Sequence, residues 1–466
     1  MSDLGRRAVV IGGGITGLSA AFEFHRAGWT VDVYEASNRW GGKILTSPVG
    51  DQPEAPVVDA GPDAVLMRAD AGRELVDQLG LTDEMTHPIA PKPAYLFLDG
   101  RLHVLPSGTV LGVPVDPAAL DHTNLISDAG KERAAGDLTM PPTDLTEDVT
   151  IGTLCRERLG DELTDRLIDP LVGGINASNI DRLSLQAAAP LLAQAMTEHG
   201  SLIRGLGKMY PHIGAALGGD RGDRTDNAGD RRAERPPVFF SLERGVGRLI
   251  EALVDALPAN GLHLGHPIDA LAGIPDPSTV DAIVVATPAR AAAALLGDVP
   301  AVVAHLVDFP YATVSQATVI IPGQPPLDAA GILFPRVGGT MLTASTWLSS
   351  KWPQYRFDDG ALIRLTSGRY GDEHTANMSD DILAATLLDE LNRAVPLVAE
   401  PSAVRIQRWP SALPHYEPGH LDRIAEVREG VLRRHPRIRL AGAVYDGIGI
   451  PACIAGGRQA ARELLT

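Results

Sequence analysis

The sequence predicts an α/β fold: a doubly wound parallel sheet assembled from discontinuous pieces of chain, joined to an antiparallel sheet and a helical insertion. Three observations predict it. Near the N-terminus the apolar run Ala8-Val9-Val10-Ile11 passes directly into a glycine-rich turn and a helical stretch. A second such run, Ala282-Ile283-Val284-Val285, recurs far downstream and ends in the turn Ala286-Thr287-Pro288. Continuous apolar runs are what strands covered on both faces require. Ala317 to Ser367 instead alternates strand patterns with Gly and Pro turns, as an antiparallel sheet does.

At 466 residues the chain is too long for one core and long enough to enclose a large cofactor. The expected division places 1–90, 238–300 and 437–466 in a nucleotide-binding domain and 91–110 with 301–436 in a substrate domain. Residues 111–218 form the helical insertion, most clearly patterned from about Thr150 to Ala216. Between them 219–237 is dense in Asp, Arg and Gly and is expected to be a mobile loop.

The formal net charge of −17 disfavours nucleic acid as a partner, because such binders gather positive charge on one face. Cys155 and Cys453 are the two cysteines, far apart, so neither a disulfide framework nor a zinc site is expected. His415 and His420 lack an acidic partner at ligand spacing, and no metal is assigned. No apolar run reaches the roughly 18 residues of a membrane span, which leaves peripheral membrane contact open. The N-terminus also lacks the apolar core and cleavage site of a secretory signal, which predicts a cytoplasmic location.

The chemistry is read first from the N-terminal turn, Gly12-Gly13-Gly14-Ile15-Thr16-Gly17. Gly12 suits the tight turn, Gly14 lets the backbone approach a pyrophosphate, and Gly17 lets the helix pack closely on the strand. The helix N-terminus adds amide donors. Thr30 to Glu35 reads as the second strand, and Glu35 lies 18 residues after Gly17, where a carboxylate can accept from both ribose hydroxyls. Strand, G-x-G-x-x-G, helix, strand and terminal acid in register predict a Rossmann-like dinucleotide site. An acid at this place also argues against a 2′-phosphate.

FAD and NAD share that fingerprint. The next segment, Ala36-Ser37-Asn38-Arg39-Trp40-Gly41-Gly42-Lys43, places two glycines between Arg39 and Lys43, offering close backbone approach and positive charge beside the same pyrophosphate. Here the chain resembles the flavin amine oxidase superfamily, whose motif after the second strand is R-x-G-G-[RK]. Further blocks, in order along nearly the whole chain, are similar to the porphyrinogen oxidases. They include Val58 to Ala64, Phe97 to Pro106, Pro170 to Ser178, Ser241 to Gly247, Trp409 to His420 and Ala441 to Ile454.

The resemblance implies FAD as cofactor. It places the pyrophosphate at Gly12, Gly13, Gly14, Ile15, Thr16 and Gly17, and the adenosine ribose at Glu35 and Ala36. Arg39 and Gly42 stay beside the pyrophosphate, while Lys43, followed by Gly61, Pro62, Asp63 and Ala64, lies along the ribityl and isoalloxazine portion. Ile268 packs on the adenine side, while Trp409, Ile448, Gly449 and Ile450 approach from the C-terminal segment. There the helix opening at Ile450-Pro451 would aim its N-terminus at the ring. For the substrate it implies Gly173 and Gly174, where a macrocycle could approach the backbone, with Arg68 and Lys92 as candidates for its carboxylates. The chain departs from relatives at Pro93-Ala94, where some carry an arginine, at Asn176, where an aromatic is common, and at Pro451-Ala452 in place of an acid.

A single G-x-G-x-x-G leaves no second nucleotide domain to deliver electrons from NAD(P)H. An organic substrate is therefore expected to reduce the flavin and molecular oxygen to reoxidise it. The activity implied is oxidation of coproporphyrinogen III to coproporphyrin III in haem biosynthesis, in contact with other enzymes of that pathway. Protoporphyrinogen IX oxidase, another flavin amine oxidase or carotenoid desaturase, and a non-catalytic FAD-binding partner protein stay open as alternatives. No side chain is assigned as catalytic acid or base, because the cofactor carries the chemistry.

Overall fold

The computed structural model describes residues 5–89, 92–215, 237–323, 325–356, 360–372 and 374–466. The loop expected over 219–237 lies, except for Pro237, outside the described residues.

The first layer is a five-stranded parallel sheet made from three distant parts of the chain. Its strands are β1 (Arg7–Ile11), β2 (Thr30–Glu35), β3 (Leu262–Leu264), β4 (Ala282–Val285) and β5 (Ile438–Leu440), in the spatial order β3-β2-β1-β4-β5. Ala8, Val9 and Val10 are fully buried because helices cover both faces. On one side lie α1 (Ile15–Arg26) and the C-terminal α2 (Ile450–Leu465), packed tightly because Gly457 faces Thr16. A Cβ on Gly457 would stand 2.1 Å from the Thr16 carbonyl oxygen, so only glycine permits this approach. The turn after β1 thereby sits beside the start of the last helix, 433 positions further on.

The second layer is a seven-stranded sheet ordered Ala403–Pro414, Tyr311–Pro322, Gly360–Ser367, Leu342–Trp347, Gly331–Leu333, Ala94–Leu98, Arg101–Val104. It corrects the purely antiparallel expectation at one place: Gly331–Leu333 pairs parallel with Ala94–Leu98. The early hairpin joins from a remote part of the chain, so no tight turn dictates its direction.

The third part is helical, with Asp128–Ala135, Ile151–Leu159, Pro190–His199 and Leu202–Met209 around one apolar cluster. At its centre Arg158 is fully buried and bonded to Asp137 at 2.6 Å, while Asp137 also accepts from Ser201 Oγ and Ile203 N. A run of wide π turns, Thr164–Gly173, accommodates Pro170, whose missing N–H would break an α ladder, and delivers Gly173 and Gly174 toward the sheet. Among the described residues no helix is long and apolar enough to cross a membrane.

Candidate functional site

The site begins where β1 ends. Gly12 turns at φ +111, a left-handed conformation that glycine adopts freely, with the Ala286 carbonyl so near that a Cβ would stand 2.5 Å from it. Gly17 is fixed by packing, since a Cβ there would lie 1.9 Å from the Gly12 oxygen. Gly14 is different. Its φ is −75, and an added Cβ would meet nothing closer than the Gly42 Cα at 3.9 Å. The fold itself does not demand glycine there, so the smooth surface over Gly14 is a cradle kept clear for something else.

Glu35, at the end of β2, turns back to this loop. Its oxygens accept from Gly13 N at 2.7 Å and Ser37 N at 2.8 Å, leaving further lone pairs for ribose hydroxyls. Gly41 N donates to Gly13 O at 2.8 Å and places Gly42 over Gly14. Beside the turn, Thr287 Oγ1 is buried with no hydrogen-bond partner among the described residues. Burying a hydroxyl unpaired costs about 1–3 kcal/mol, so its position next to Gly12 suits a polar ligand. Cradle, carboxylate and orphan hydroxyl all fit the diphosphate and ribose of a dinucleotide.

Arg39 and Lys43 part company. The Arg39 guanidinium donates to the carbonyls of Trp40 and Ile44, each at 3.3 Å, and to that of Gly42, and it lies over the Trp409 ring. The positive charge expected from Arg39 beside the pyrophosphate is instead directed into its own turn, whose carbonyls would otherwise lack donors. Lys43 is exposed to solvent yet hemmed in by protein along the cleft, with Nζ 5.5 Å from the Tyr311 ring centroid. Desolvation pulls its ammonium down to about 8, a shift that the water reaching it softens.

The segment after Asp59 supplies the next wall. A Cβ on Gly61 would stand 2.4 Å from the Lys43 oxygen and 3.7 Å from the Trp409 ring, and Trp409 Nε1 donates to Ala60 O at 2.8 Å. Pro62 is exposed and Ala64 packs on a buried cluster with Trp352. The Asp63 side chain points away into the protein, bonded to Lys351 Nζ at 2.9 Å and Trp352 Nε1 at 2.7 Å. Arg364 Nη2 lies 2.9 Å from Asp63 Oδ1, a charge contact without hydrogen-bond geometry, and Arg364 Nη1 donates to the Gly61 carbonyl. Burial raises the Asp63 pKa, but the two cations outweigh it and hold the carboxyl well below its usual range. Asp59, pushed up by burial, is held by Thr46 Oγ1 at 2.7 Å, Tyr355 Oη at 2.8 Å and Val246 N at 3.0 Å.

At the C-terminal side, Ile448 is half-buried, Gly449 exposed and Ile450 buried at the start of α2, with Pro451 in its first turn. Gly449 gives no side-chain cap, so the first amides of α2 stay available and its dipole favours negative charge. Cys453, on the same turn, is buried and hydrogen-bonded to the Gly447 carbonyl at 3.5 Å, and burial pushes its thiol up to about 11. Ile268 packs against the cluster holding Val9, Ile11 and Tyr34 on the opposite face of the parallel sheet.

Of the substrate candidates, Gly173 is required by packing, since a Cβ would lie 2.6 Å from the Ser178 oxygen, while Gly174 is exposed with nothing within 4 Å. Ala177, Ala312, Val314 and Ala412 form an apolar patch with Tyr370 and Trp409, running from the Gly61 wall to the glycine segment. Arg68 is exposed and bonded to Tyr210 Oη at 3.2 Å, and Lys92 is paired with Asp328 at 2.7 Å. Both candidate carboxylate ligands are thus turned to protein partners. Arg364, Lys351, Tyr355 and Thr287 were not legible as site residues, although Thr287 lies in the turn predicted after β4.

A glycine cradle, the Glu35 carboxylate and a helix N-terminus around one cleft fit a dinucleotide cofactor, and the family match makes that cofactor a flavin. The chain belongs to the family of flavin containing amine oxidoreductases, which it matches over residues 15–465, and it is an FAD-dependent enzyme. Among individual proteins it is 31% identical to coproporphyrinogen III oxidase of Bacillus subtilis (strain 168), over 100% of this chain and 99% of that one. It is 29% identical to protoporphyrinogen oxidase of Bos taurus, over 99% of each. A crystal structure from Exiguobacterium sp. 255-15, assigned as a protoporphyrinogen oxidase, superposes with a TM-score of 0.83 at 30% identity, covering 100% of this chain and 99% of that one.

Proposed function

We propose that this enzyme oxidises coproporphyrinogen III to coproporphyrin III in haem biosynthesis, with molecular oxygen as acceptor and hydrogen peroxide as second product. The observation that carries the reading is the likeness to the Bacillus subtilis coproporphyrinogen III oxidase over 100% of this chain and 99% of that one. The cleft suits it, because an apolar patch, with His415 stacked on its Tyr370 ring, extends from the cofactor wall to Ala177 beside the glycine segment. When bound, FAD supplies the two-electron acceptor that this substrate needs. Six electrons and six protons leave the porphyrinogen in three rounds, and three oxygen molecules carry them away as three of hydrogen peroxide.

The chain's own residues position and desolvate. Amides from Gly14 to Gly17 and the Lys43 ammonium would hold the diphosphate, since Gly12 N and Gly13 N are taken by Tyr34 O and Glu35, and Glu35 would accept from the ribose. The N-terminus of α2 would favour negative charge on a flavin bound beside it. Asp63, clamped by Lys351 and Arg364, fixes the Gly61 wall against which the ring would lie. Ala177, Val314 and Trp409 exclude water from the path between substrate and ring.

Relative turnover of coproporphyrinogen III and protoporphyrinogen IX, followed by porphyrin fluorescence, tests the substrate. A clear preference for coproporphyrinogen is expected. Parity, or a protoporphyrinogen preference, overturns the assignment in favour of the alternative that the Bos taurus relative represents.

A further inference from the structure

Coproporphyrinogen III carries one propionate on each pyrrole ring, and the residues first singled out for such carboxylates, Arg68 and Lys92, face protein partners instead. Two other guanidiniums stand at the far end of the apolar patch. Arg369 follows the strand Gly360–Ser367 at Gly368, where φ is +93 and a Cβ would stand 2.4 Å from the Thr313 oxygen, so the chain turns sharply out of the sheet. Its Nη2 donates to Phe334 O at 3.0 Å, and its Nε and Nη1 have no partner among the described residues. Arg336 reaches Asp169 Oδ2 at 3.5 Å and Asp181 Oδ2 at 3.6 Å. Asp181 is already gripped on both oxygens by Arg156, at 2.9 and 3.1 Å. Of the two carboxylates that Arg336 reaches, Asp169 is the buried one, its side chain 6% exposed.

These guanidiniums, Arg369 with two donors left over, border the glycine segment. Asp169 Oδ1 lies 2.9 Å from where a Cβ of Gly173 would stand, and Tyr370 N, next to Arg369, donates to Ala177 O at 2.7 Å. Ala177 and Tyr370 belong to the patch that ends at Trp409, against Gly61. A half-desolvated guanidinium with free donors is costly, and a carboxylate that meets its planar fork relieves that cost. Gly174, next to Gly173, is exposed and presents no side chain to a flat ring.

We propose that Arg369 and Arg336 form a carboxylate subsite that holds a propionate arm of the substrate, with the tetrapyrrole extending over Gly174 toward Trp409. The proposal rests on the porphyrinogen reading above and adds the residues that would select a polycarboxylate.

The test uses FAD-loaded enzyme, Arg369→Met, which keeps the buried stem but removes the charge, Arg369→Lys and Arg336→Gln. Each is assayed with coproporphyrinogen III and with its tetramethyl ester, and binding of oxidised coproporphyrin III is measured by fluorescence without turnover. A charge-assisted pair of this kind corresponds to a loss of roughly 10- to 100-fold. Arg369→Met should raise KM for the tetra-acid, and weaken coproporphyrin binding, by that factor, with kcat within about threefold. The ester should change by less than about threefold, and Arg369→Lys should recover part of the loss. Equal losses for acid and ester, or no loss for the acid, overturn the subsite. Arg336→Gln keeps the question open to measurement if the Arg369 variants fail to fold. Failure of the parent enzyme to bind or oxidise either tetrapyrrole would instead remove the porphyrinogen reading, and the subsite with it.

Discussion

Substituting Gly14 and Gly17 separately distinguishes a glycine kept for a ligand from one kept for the fold. Gly14 has an ordinary φ of −75, and an added methyl would lie 3.9 Å from its nearest neighbour. Gly14→Ala should leave apoprotein stability within about 1 kcal/mol of the parent, and a small gain is consistent with lower freedom in the unfolded chain. The same methyl occupies the cradle where the diphosphate must meet backbone amides. Loss of one or two charge-assisted hydrogen bonds is worth about 2–4 kcal/mol, so FAD affinity should fall roughly 30- to 700-fold. In Gly17→Ala the methyl would stand 1.9 Å from the Gly12 oxygen, which neither backbone can relieve locally. Overpacking of that kind costs about 1–3 kcal/mol, and the apoprotein itself should be weakened. Urea unfolding of apoprotein and titration with FAD, followed by quenching of flavin fluorescence, separate the two effects. A Gly14→Ala variant that binds FAD as tightly as the parent, or that loses stability like Gly17→Ala, would refute the reasoning.

Asp63→Asn should destabilise the protein by about 3–5 kcal/mol at neutral pH, because it leaves Arg364, 5% exposed, beside no counter-charge. The Asp63 pKa is depressed on folding, so its contribution is present above the ordinary value of 3.8 and fades as pH falls below it. Parent and variant urea midpoints should therefore converge on acidification. His415 and His420, both lowered by burial to about 4, bind protons in the unfolded chain before they do in the folded one. Stability should rise with pH between about 4 and 6.5, and His415→Gln should flatten that limb; an unchanged slope contradicts the burial argument. Lys43, lowered to about 8, should take up a proton when FAD binds at higher pH. FAD affinity should then weaken from about pH 8 upward in the parent but not in Lys43→Met, as read by titration across that range.

The parallel sheet was legible because each of its early elements carries a local signal. Ala8 to Ile11 is apolar without interruption, Gly12 to Gly17 gives the turn, and Pro451 marks the start of the last helix. Local signals also led to Glu35 and to the Gly41-Gly42 turn. At Arg39 they leave the partner undecided, because a guanidinium beside a glycine turn can serve either a phosphate or the turn's own carbonyls, and composition does not distinguish these. The Asp63 clamp was beyond reach for another reason: Lys351 is 288 residues away and meets Asp63 only after the two sheets have packed. Arg336 and Arg369 likewise come together through the sheet, on segments whose sequences read as ordinary turns. Non-local ion pairs have no periodicity, and one chain alone offers no pattern that links their ends.

The most direct measurement is anaerobic mixing of the FAD-loaded enzyme with coproporphyrinogen III while the visible flavin band is followed. The band should bleach as porphyrin fluorescence appears, and it should return when oxygen is admitted, with hydrogen peroxide formed. A flavin that stays oxidised in the presence of excess coproporphyrinogen III would contradict the account.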